Sequence, residues 1–231
     1  MTDPLISVII PAYNEEDTIG FVITGVADAL NQMNVSHEII IVNDGSFDNT
    51  LEIAKKYDVV ILNNYKNFGK GHALRRGLLR ARGRLIVTMD ADGSHDPDNI
   101  RFLIRPLVNN NVDAVFGVRF HNPEGRRSTS RLHLLGNKII NFVIYLLTGK
   151  HVSDSQSGFR AFKRNTLRKV TLSSNEFEIE SEIVIKLLKR GFFVLEVPIS
   201  CKKRVLGNSK VNAIEDGFKI LKVIIKSSFV N

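Results

Sequence analysis

Two carboxylates two residues apart, Asp90 and Asp92 in Met89-Asp-Ala-Asp-Gly93, follow an apolar run that begins at Arg84-Leu-Ile-Val. In an extended chain, residues i and i+2 point to the same side, so both acids can converge on one point at the edge of a sheet. Two like charges there are costly unless a cation lies between them, and hard oxygen donors suit Mg²⁺ or Mn²⁺, ions that also hold a diphosphate. A solvated Asp-Gly turn is the plain alternative; a strand end in an α/β sheet, where ligands gather, favours the metal. A third acid, Asp44 in Val42-Asn-Asp-Gly-Ser46, also follows an apolar run. It can accept hydrogen bonds from a ribose or a base, or it and Asn49 can simply shape and cap a turn. Lys70 lies between glycines in Asn67-Phe-Gly-Lys-Gly71, as in a phosphate-binding turn. No Gly-x-x-x-x-Gly-Lys-Ser/Thr surrounds it, which excludes a P-loop ATPase, and no Gly-x-Gly-x-x-Gly follows any strand, which argues against a dinucleotide dehydrogenase.

The elements that must position these residues alternate in type. Apolar runs at 5–10, 38–42, 59–62, 84–89 and 113–118 predict strands. Helical segments are expected at about 15–30, 49–57, 70–81 and 97–108, the first capped by Asn14 with Glu15, Glu16 and Asp17 in its opening turn. Short apolar strands separated by helices predict an α/β fold with a mainly parallel sheet covered on both faces. The second half changes character. A polar loop at 121–130 precedes a helix at 132–147 with an apolar stripe of Leu132, Leu135, Ile139, Val143 and Leu146. A strand at 158–162, a helix at 178–189, a strand at 192–199 and a last helix at 212–226 follow. On that helix Glu215, Lys219, Lys222 and Lys226 stand opposite Ile214, Phe218, Leu221 and Ile225. With no repeat, low-complexity tract or evident linker, one domain spanning 1–231 is expected, with residues 1–118 as a nucleotide-binding half and 119–231 as an acceptor-binding half.

Composition bounds the partners. The 231 residues are 43% hydrophobic and 24% charged, enough apolar content for a packed core rather than a disordered chain. A net charge of +8 favours an anionic partner. The basic residues are dispersed and no nucleic-acid motif appears, so nucleic acid is not the expected one. Cys201 is the single cysteine, which excludes an internal disulfide and suggests a reducing compartment. No signal peptide is evident. The longest apolar run, Ile139 to Leu147, is broken by Asn141 and falls short of the ~20 residues of a membrane span.

Taken together, Val8-Ile-Ile-Pro-Ala-Tyr-Asn-Glu15, Val42-Asn-Asp-Gly-Ser46, Asn67-Phe-Gly-Lys-Gly71 and Asp90-Ala-Asp92 resemble the inverting family 2 glycosyltransferases of the GT-A fold. Asp154-Ser-Gln-Ser-Gly-Phe-Arg160 and Arg204-Val-Leu-Gly-Asn-Ser-Lys210 resemble, more narrowly, the dolichyl-phosphate (polyprenyl-phosphate) mannose and glucose synthases. The resemblance extends over nearly the whole chain. It implies that Pro11, Ala12, Tyr13 and Glu15 line the nucleotide pocket, with Asp44 on the base or ribose and Lys70 also on the nucleotide. Asp90 and Asp92 would hold the metal that bridges the diphosphate. Some relatives add a glutamine two positions beyond the second Asp, where this chain has the weaker ligand Ser94. Arg119, Arg131 and Arg204 would bind the phosphates, and Asp154, Gln156 and Lys210 the acceptor or sugar. Two further departures are Asn43, where many relatives carry an Asp, and Cys201, where a tyrosine is common.

The implied reaction moves a hexose (mannose, glucose or N-acetylglucosamine) from a GDP- or UDP-sugar to dolichyl phosphate. A lipid phosphate oxygen is already anionic, so the attack needs no strong base. It needs cations that hold two repelling phosphates in line, a task suited to arginine. The nearest rival, a family 2 enzyme acting on a sugar hydroxyl, requires a carboxylate base, for which Asp154 is the candidate. A lipid acceptor brings the protein to a membrane surface, expected to be the cytoplasmic face, with a small membrane-anchoring subunit as a conceivable partner. The 132–147 stripe and its basic neighbours at Arg126 and Arg127 suit that surface, although the stripe could equally pack on the core.

Overall fold

The computed structural model describes residues 5–109, 111–121, 130–202 and 215–228. Seven strands form one sheet: β1 (Ile6–Ala12), β2 (His37–Asn43), β3 (Val60–Asn63), β4 (Leu85–Thr88), β5 (Ala114–Val118), β6 (Arg160–Lys163) and β7 (Val194–Pro198). Their order is β3-β2-β1-β4-β6-β5-β7. All run in one direction except β6, which lies antiparallel between β4 and β5. The sequence pattern gives the strands but not this reversal, because a buried apolar run reads the same in either direction.

Side chains alternate along each strand and divide the core into two layers. Ile6, Val8 and Ile10 of β1 face one layer with Val22, Val26 and Leu30 of α1 (Ile19–Gln32) and Leu103 and Leu107 of α4 (Ile100–Asn109). Short α2 (Thr50–Ala54) joins the same side through Ala54. Ile9 faces the other layer, which holds Leu74 of α3 (Lys70–Arg80), Ile140 and Ile144 of α5 (Arg131–Thr148) and Leu167 of α6 (Arg164–Arg168). Ile183 and Leu187 of α7 (Ile179–Lys189) and Ile220 and Ile224 of α8 (Glu215–Ser228) complete it.

Two local expectations are corrected and one open choice is narrowed. Asn14 does not cap α1. It takes a left-handed backbone (φ 51°), and its side-chain oxygen accepts from the Phe47 amide at 3.1 Å. The helix starts later, after Thr18, so Glu15 to Asp17 form the turn before it. On α8 the buried face is Ile220, Ile224 and Ser227, whereas Phe218 and Ile225 are exposed and Ile214 lies outside the described residues. That helix carries two adjoining apolar stripes, and periodicity cannot tell which one packs. On α5 the buried positions are Asn137, Ile140 and Ile144, while Leu132, Leu135, Ile139 and Leu146 of the expected stripe are exposed. Of that stripe only Val143 packs against the core, so the choice left open between core and surface falls mostly to the surface.

Candidate active site

Strand order places β1 and β4 side by side while their outgoing connections diverge, and a crevice opens at such a point beyond the carboxyl ends of the strands. A cavity of about 1050 Å³ lies there, lined by Pro11, Ala12 and Tyr13 after β1, by Asp44 after β2, and by Asp90, Asp92 and Ser94 after β4. Glu15, Lys70, Arg119 and Gln156 also line it. Sequence reasoning therefore selected eleven residues that share one wall system, although they span positions 11 to 156.

Asp44 is almost fully buried, and both of its oxygens are engaged. Asn64 Nδ2 donates to Oδ1 at 2.6 Å, the Gly69 amide to Oδ2 at 2.8 Å, and the Phe68 amide reaches both oxygens. This carboxylate thus folds the 64–69 loop onto the cavity. The loop ends at Gly69, whose φ of 97° favours glycine and where a Cβ would stand 2.4 Å from the Asn175 carbonyl oxygen. A side chain would force the Asn175 loop away from the first turn of α3, and with it the seat of Lys70.

Asp90 is the centre of charge. Its Oδ1 lies 2.6 Å from Lys70 Nζ, and its Oδ2 lies 3.5 Å from Nε2 of His95. Burial raises the pKa of Asp90, but Lys70 and His95 outweigh it and hold the carboxyl far below the usual range. Burial likewise opposes the charge on His95, yet its contacts with Asp90 and Cys201 push its pKa up to about 9. The His95 backbone bridges to Cys201, and the Ser94 carbonyl accepts from the Lys202 amide at 2.9 Å, so the chain after β7 closes over this loop. His95 was not a sequence candidate, because a lone histidine near an Asp-x-Asp is usually no more than a turn residue. Asp92 is half-buried; among the described residues, its carboxylate is hydrogen-bonded only by the Ser94 amide at 3.0 Å.

Arg119 stands at the end of β5 with its guanidinium locked by Asp154, Nε to Oδ2 at 2.7 Å and Nη2 to Oδ1 at 2.8 Å. Burial lowers the pKa of Arg119, but Asp154 more than reverses this and keeps the guanidinium charged. Asp154 itself is completely buried, also accepts from Asn137 Nδ2 and the Arg119 amide, and does not line the cavity. Burial raises its pKa, but Arg119 dominates and depresses it. The expectation that Asp154 touches sugar or acceptor is therefore corrected: no lone pair faces the cavity, and its task is to aim Arg119. Gln156 does line the cavity, but its amide nitrogen donates to the hydroxyls of Ser155 and Ser181. Arg131, at the first position of α5, is exposed and is not part of the cavity wall. Arg204 and Lys210, like Arg126 and Arg127, lie outside the described residues.

The cavity has a mixed lining. Asp90, Asp92, Lys70 and Arg119 share it with Leu132, Leu135 and Ile139 of α5 and with Phe218 and Leu221 of α8. Four of these five apolar residues, all but Leu221, are also exposed, between 48% and 73%, so this apolar part of the lining is open to the outside.

Residues 7–171 match the family model described as glycosyl transferase family 2. An uncharacterised protein of Methanocaldococcus jannaschii is 34% identical over 97% of this chain and 93% of its own. A UDP-N-acetylglucosamine–dolichyl-phosphate N-acetylglucosaminyltransferase of Methanococcus voltae is 35% identical, over 95% and 94%. A dolichyl-phosphate beta-glucosyltransferase of Dictyostelium discoideum is 28% identical, over 97% of this chain and 74% of its own. Among solved structures, glucosyl-3-phosphoglycerate synthase from Mycobacterium tuberculosis, crystallised with Mn²⁺, UDP and phosphoglyceric acid, superposes with a TM-score of 0.80 at 19% identity. That match covers 99% of this chain and 80% of the synthase, and shows a common GT-A fold. The family-model match spans well over half the sequence and two relatives exceed 30% identity along nearly all of it: this chain is a glycosyltransferase and belongs to glycosyl transferase family 2.

Proposed function

We propose that this protein transfers the sugar of a UDP-sugar, with inversion, to the phosphate of a dolichyl (polyprenyl) phosphate at a membrane surface. The observation that carries the proposal is the mixed lining of one cavity: Asp90, Asp92, Lys70 and Arg119, suited to a diphosphate and an acceptor phosphate, share it with exposed apolar residues of α5 and α8. The acceptor has the same two-part chemistry. The Methanococcus voltae and Dictyostelium relatives bear names of dolichyl-phosphate sugar transferases, which supports the same acceptor, and the former supports UDP. A hydroxyl acceptor would need the base for which Asp154 was the candidate, and that carboxylate is buried and paired.

The residues present fit a divalent cation. Asp90, Asp92 and Ser94 offer hard oxygen donors on one cavity wall, and Mg²⁺ is commonly held by one or two carboxylates together with substrate phosphates. Structural relatives crystallised with Mn²⁺ or Mg²⁺ and UDP support this choice. When bound, the cation neutralises the charge gathering on the departing nucleoside diphosphate. Pro11, Ala12, Tyr13, Glu15 and Asp44 would shape the nucleoside end, and Lys70 would meet the diphosphate. Arg119, kept charged and aimed by Asp154, would hold the acceptor phosphate in line, with Arg204 and Lys210 assigned to the same phosphates. The phosphate attacks as an anion, so no side chain must remove a proton.

Among the described residues no helix is long and apolar enough to cross a membrane. The exposed face of α5 would instead lie in the interface, with the basic segments around it drawn to the anionic cytoplasmic leaflet.

The test incubates the protein with labelled UDP-N-acetylglucosamine or UDP-glucose, Mg²⁺ or Mn²⁺, and either dolichyl phosphate or free oligosaccharide. The expected product is a lipid-linked sugar that fails to form in EDTA. Transfer to hydroxyl acceptors alone would refute the lipid-phosphate assignment.

A further inference from the structure

Behind Asp90 stands a line of alternating buried charges. Lys70 Nζ sits 2.6 Å from Asp90 Oδ1 and 2.9 Å from Oε1 of Glu180, which is nearly buried in the first turn of α7. The other Glu180 oxygen lies 3.3 Å from Arg160. Arg160 is wholly buried and fixed in place: it donates to the Glu180 carbonyl at 2.8 Å and the Ser155 carbonyl at 2.7 Å, and its guanidinium stacks over Phe116. Glu180 is therefore a rigid anchor at the start of a helix, whereas Lys70 has a flexible four-carbon stem with its tip at the cavity wall. The ammonium already satisfies Asp90, so a divalent cation approaching Asp90 and Asp92 meets a positive charge in its way. A diphosphate arriving with that cation offers the ammonium a new partner, while Glu180 keeps it from swinging out of the site.

We propose that Glu180 is a positioning residue that holds the Lys70 ammonium beside Asp90, ready to pass to the donor's diphosphate when a divalent cation takes Asp90, so that cation and nucleotide bind as a coupled pair. The inference rests on the assignment of this cavity to a UDP-sugar and a divalent cation. Coupling of this kind is reciprocal: whatever factor UDP adds to cation affinity, the cation adds to UDP affinity. A merely structural ion cluster would influence folding but not the affinity of the free protein for the cation.

The experiment measures Mn²⁺ binding to the full chain by the electron paramagnetic resonance of free Mn²⁺, with and without UDP, for wild type, Lys70→Met and Glu180→Gln. In wild type UDP should tighten Mn²⁺ binding at least tenfold. Lys70→Met, lacking the competing charge, should bind Mn²⁺ alone at least tenfold more tightly than wild type, and UDP should add at least tenfold less. Glu180→Gln leaves Lys70 with Asp90 as its carboxylate partner, and should bind Mn²⁺ alone several-fold more weakly. Equal Mn²⁺ affinities, within twofold, for wild type and Lys70→Met would overturn the proposal, whether or not Glu180→Gln folds. So would a folded Glu180→Gln with wild-type affinity. If none of the three proteins binds UDP or Mn²⁺, the assignment of the cavity itself fails, and this inference with it.

Discussion

Asp92 and Asp154 are both aspartates in glycine- and serine-rich turns, and the structure gives them opposite employment. Asp92 faces the cavity and, among the described residues, accepts a hydrogen bond only from the Ser94 amide, whereas Asp154 is fully buried and grips Arg119 with both oxygens. Asp92→Ala is accordingly expected to leave the melting temperature near that of wild type while lowering metal-dependent transfer by ~10²–10³-fold, the cost of one preorganised electrostatic contact. Calorimetry and the labelled-donor assay check the two halves separately. Asp154→Asn should do the reverse in kind: it leaves the partly buried Arg119 guanidinium without its carboxylate and should destabilise by about 1–3 kcal/mol, read from urea unfolding. Adding Arg119→Leu to Asp154→Asn should restore much of that stability but no activity, because the stability cost lies in the unpaired charge and the activity in the arginine.

Gly158, at the entry to β6, shows how an element serves the site. The strand runs against its neighbours, so the 154–159 segment crosses the carboxyl edge of β4, where Thr88 Oγ1 donates to the Gly158 carbonyl at 2.8 Å. A Cβ on Gly158 would lie 2.6 Å from Asp90 Oδ2. Gly158→Ala should therefore fold, yet displace Asp90, reduce transfer at least tenfold and raise the metal concentration needed for half-maximal rate. A titration of rate against Mn²⁺ checks this. Helix α7 buttresses the opposite wall through Glu182, whose carboxylate accepts from the Ser173 and Ser174 amides and pairs with Lys186 at 2.5 Å. Burial raises its pKa, but Lys186 and the two serines outweigh that and bring it below the ordinary carboxylate value. The unfolded chain therefore takes up this proton more readily than the folded one. The stabilisation is present above the ordinary carboxylate range and is lost as pH falls through the lower folded value. Glu182→Gln should melt well below wild type at pH 7, with the gap narrowing on acidification, as thermal scans from pH 7 to pH 3 would show.

At the scale of the whole molecule, exposed apolar side chains occur at several places, and one group of them adjoins the cavity. Phe142 and Leu146 continue the α5 stripe beyond the cavity wall and are 59% and 65% exposed. Burying one such side chain in an interface contributes about 1.5–3 kcal/mol. Phe142→Asp should thus reduce co-sedimentation with phosphatidylcholine–phosphatidylserine vesicles by tenfold or more. Transfer to a short, water-soluble isoprenyl phosphate should remain at the wild-type rate, which separates docking from chemistry.

Much of this arrangement is written in local sequence. Apolar runs of four to seven residues with helices between them dictate a covered, mainly parallel sheet. The residues following those runs (Ala12, Asp44, Asp90, Arg119) must gather at one edge because the strands share a direction. That Asp44, Asp90 and Asp92 reach this edge was legible for that reason, whereas Arg119 was legible only through the family resemblance. What the sequence could not reveal are contacts between segments far apart in the chain. Glu180 behind Lys70 and Arg160 behind Glu180 exist only because an antiparallel strand and a late helix return to the same edge. The role of Asp154 turned on burial, and burial is a property of the packed molecule rather than of a motif. The outward face of α5 and the rotation of α8 were likewise decided in three dimensions: each helix has more apolar residues than one contact can cover, and only the position of the sheet beneath selects which of them meet water.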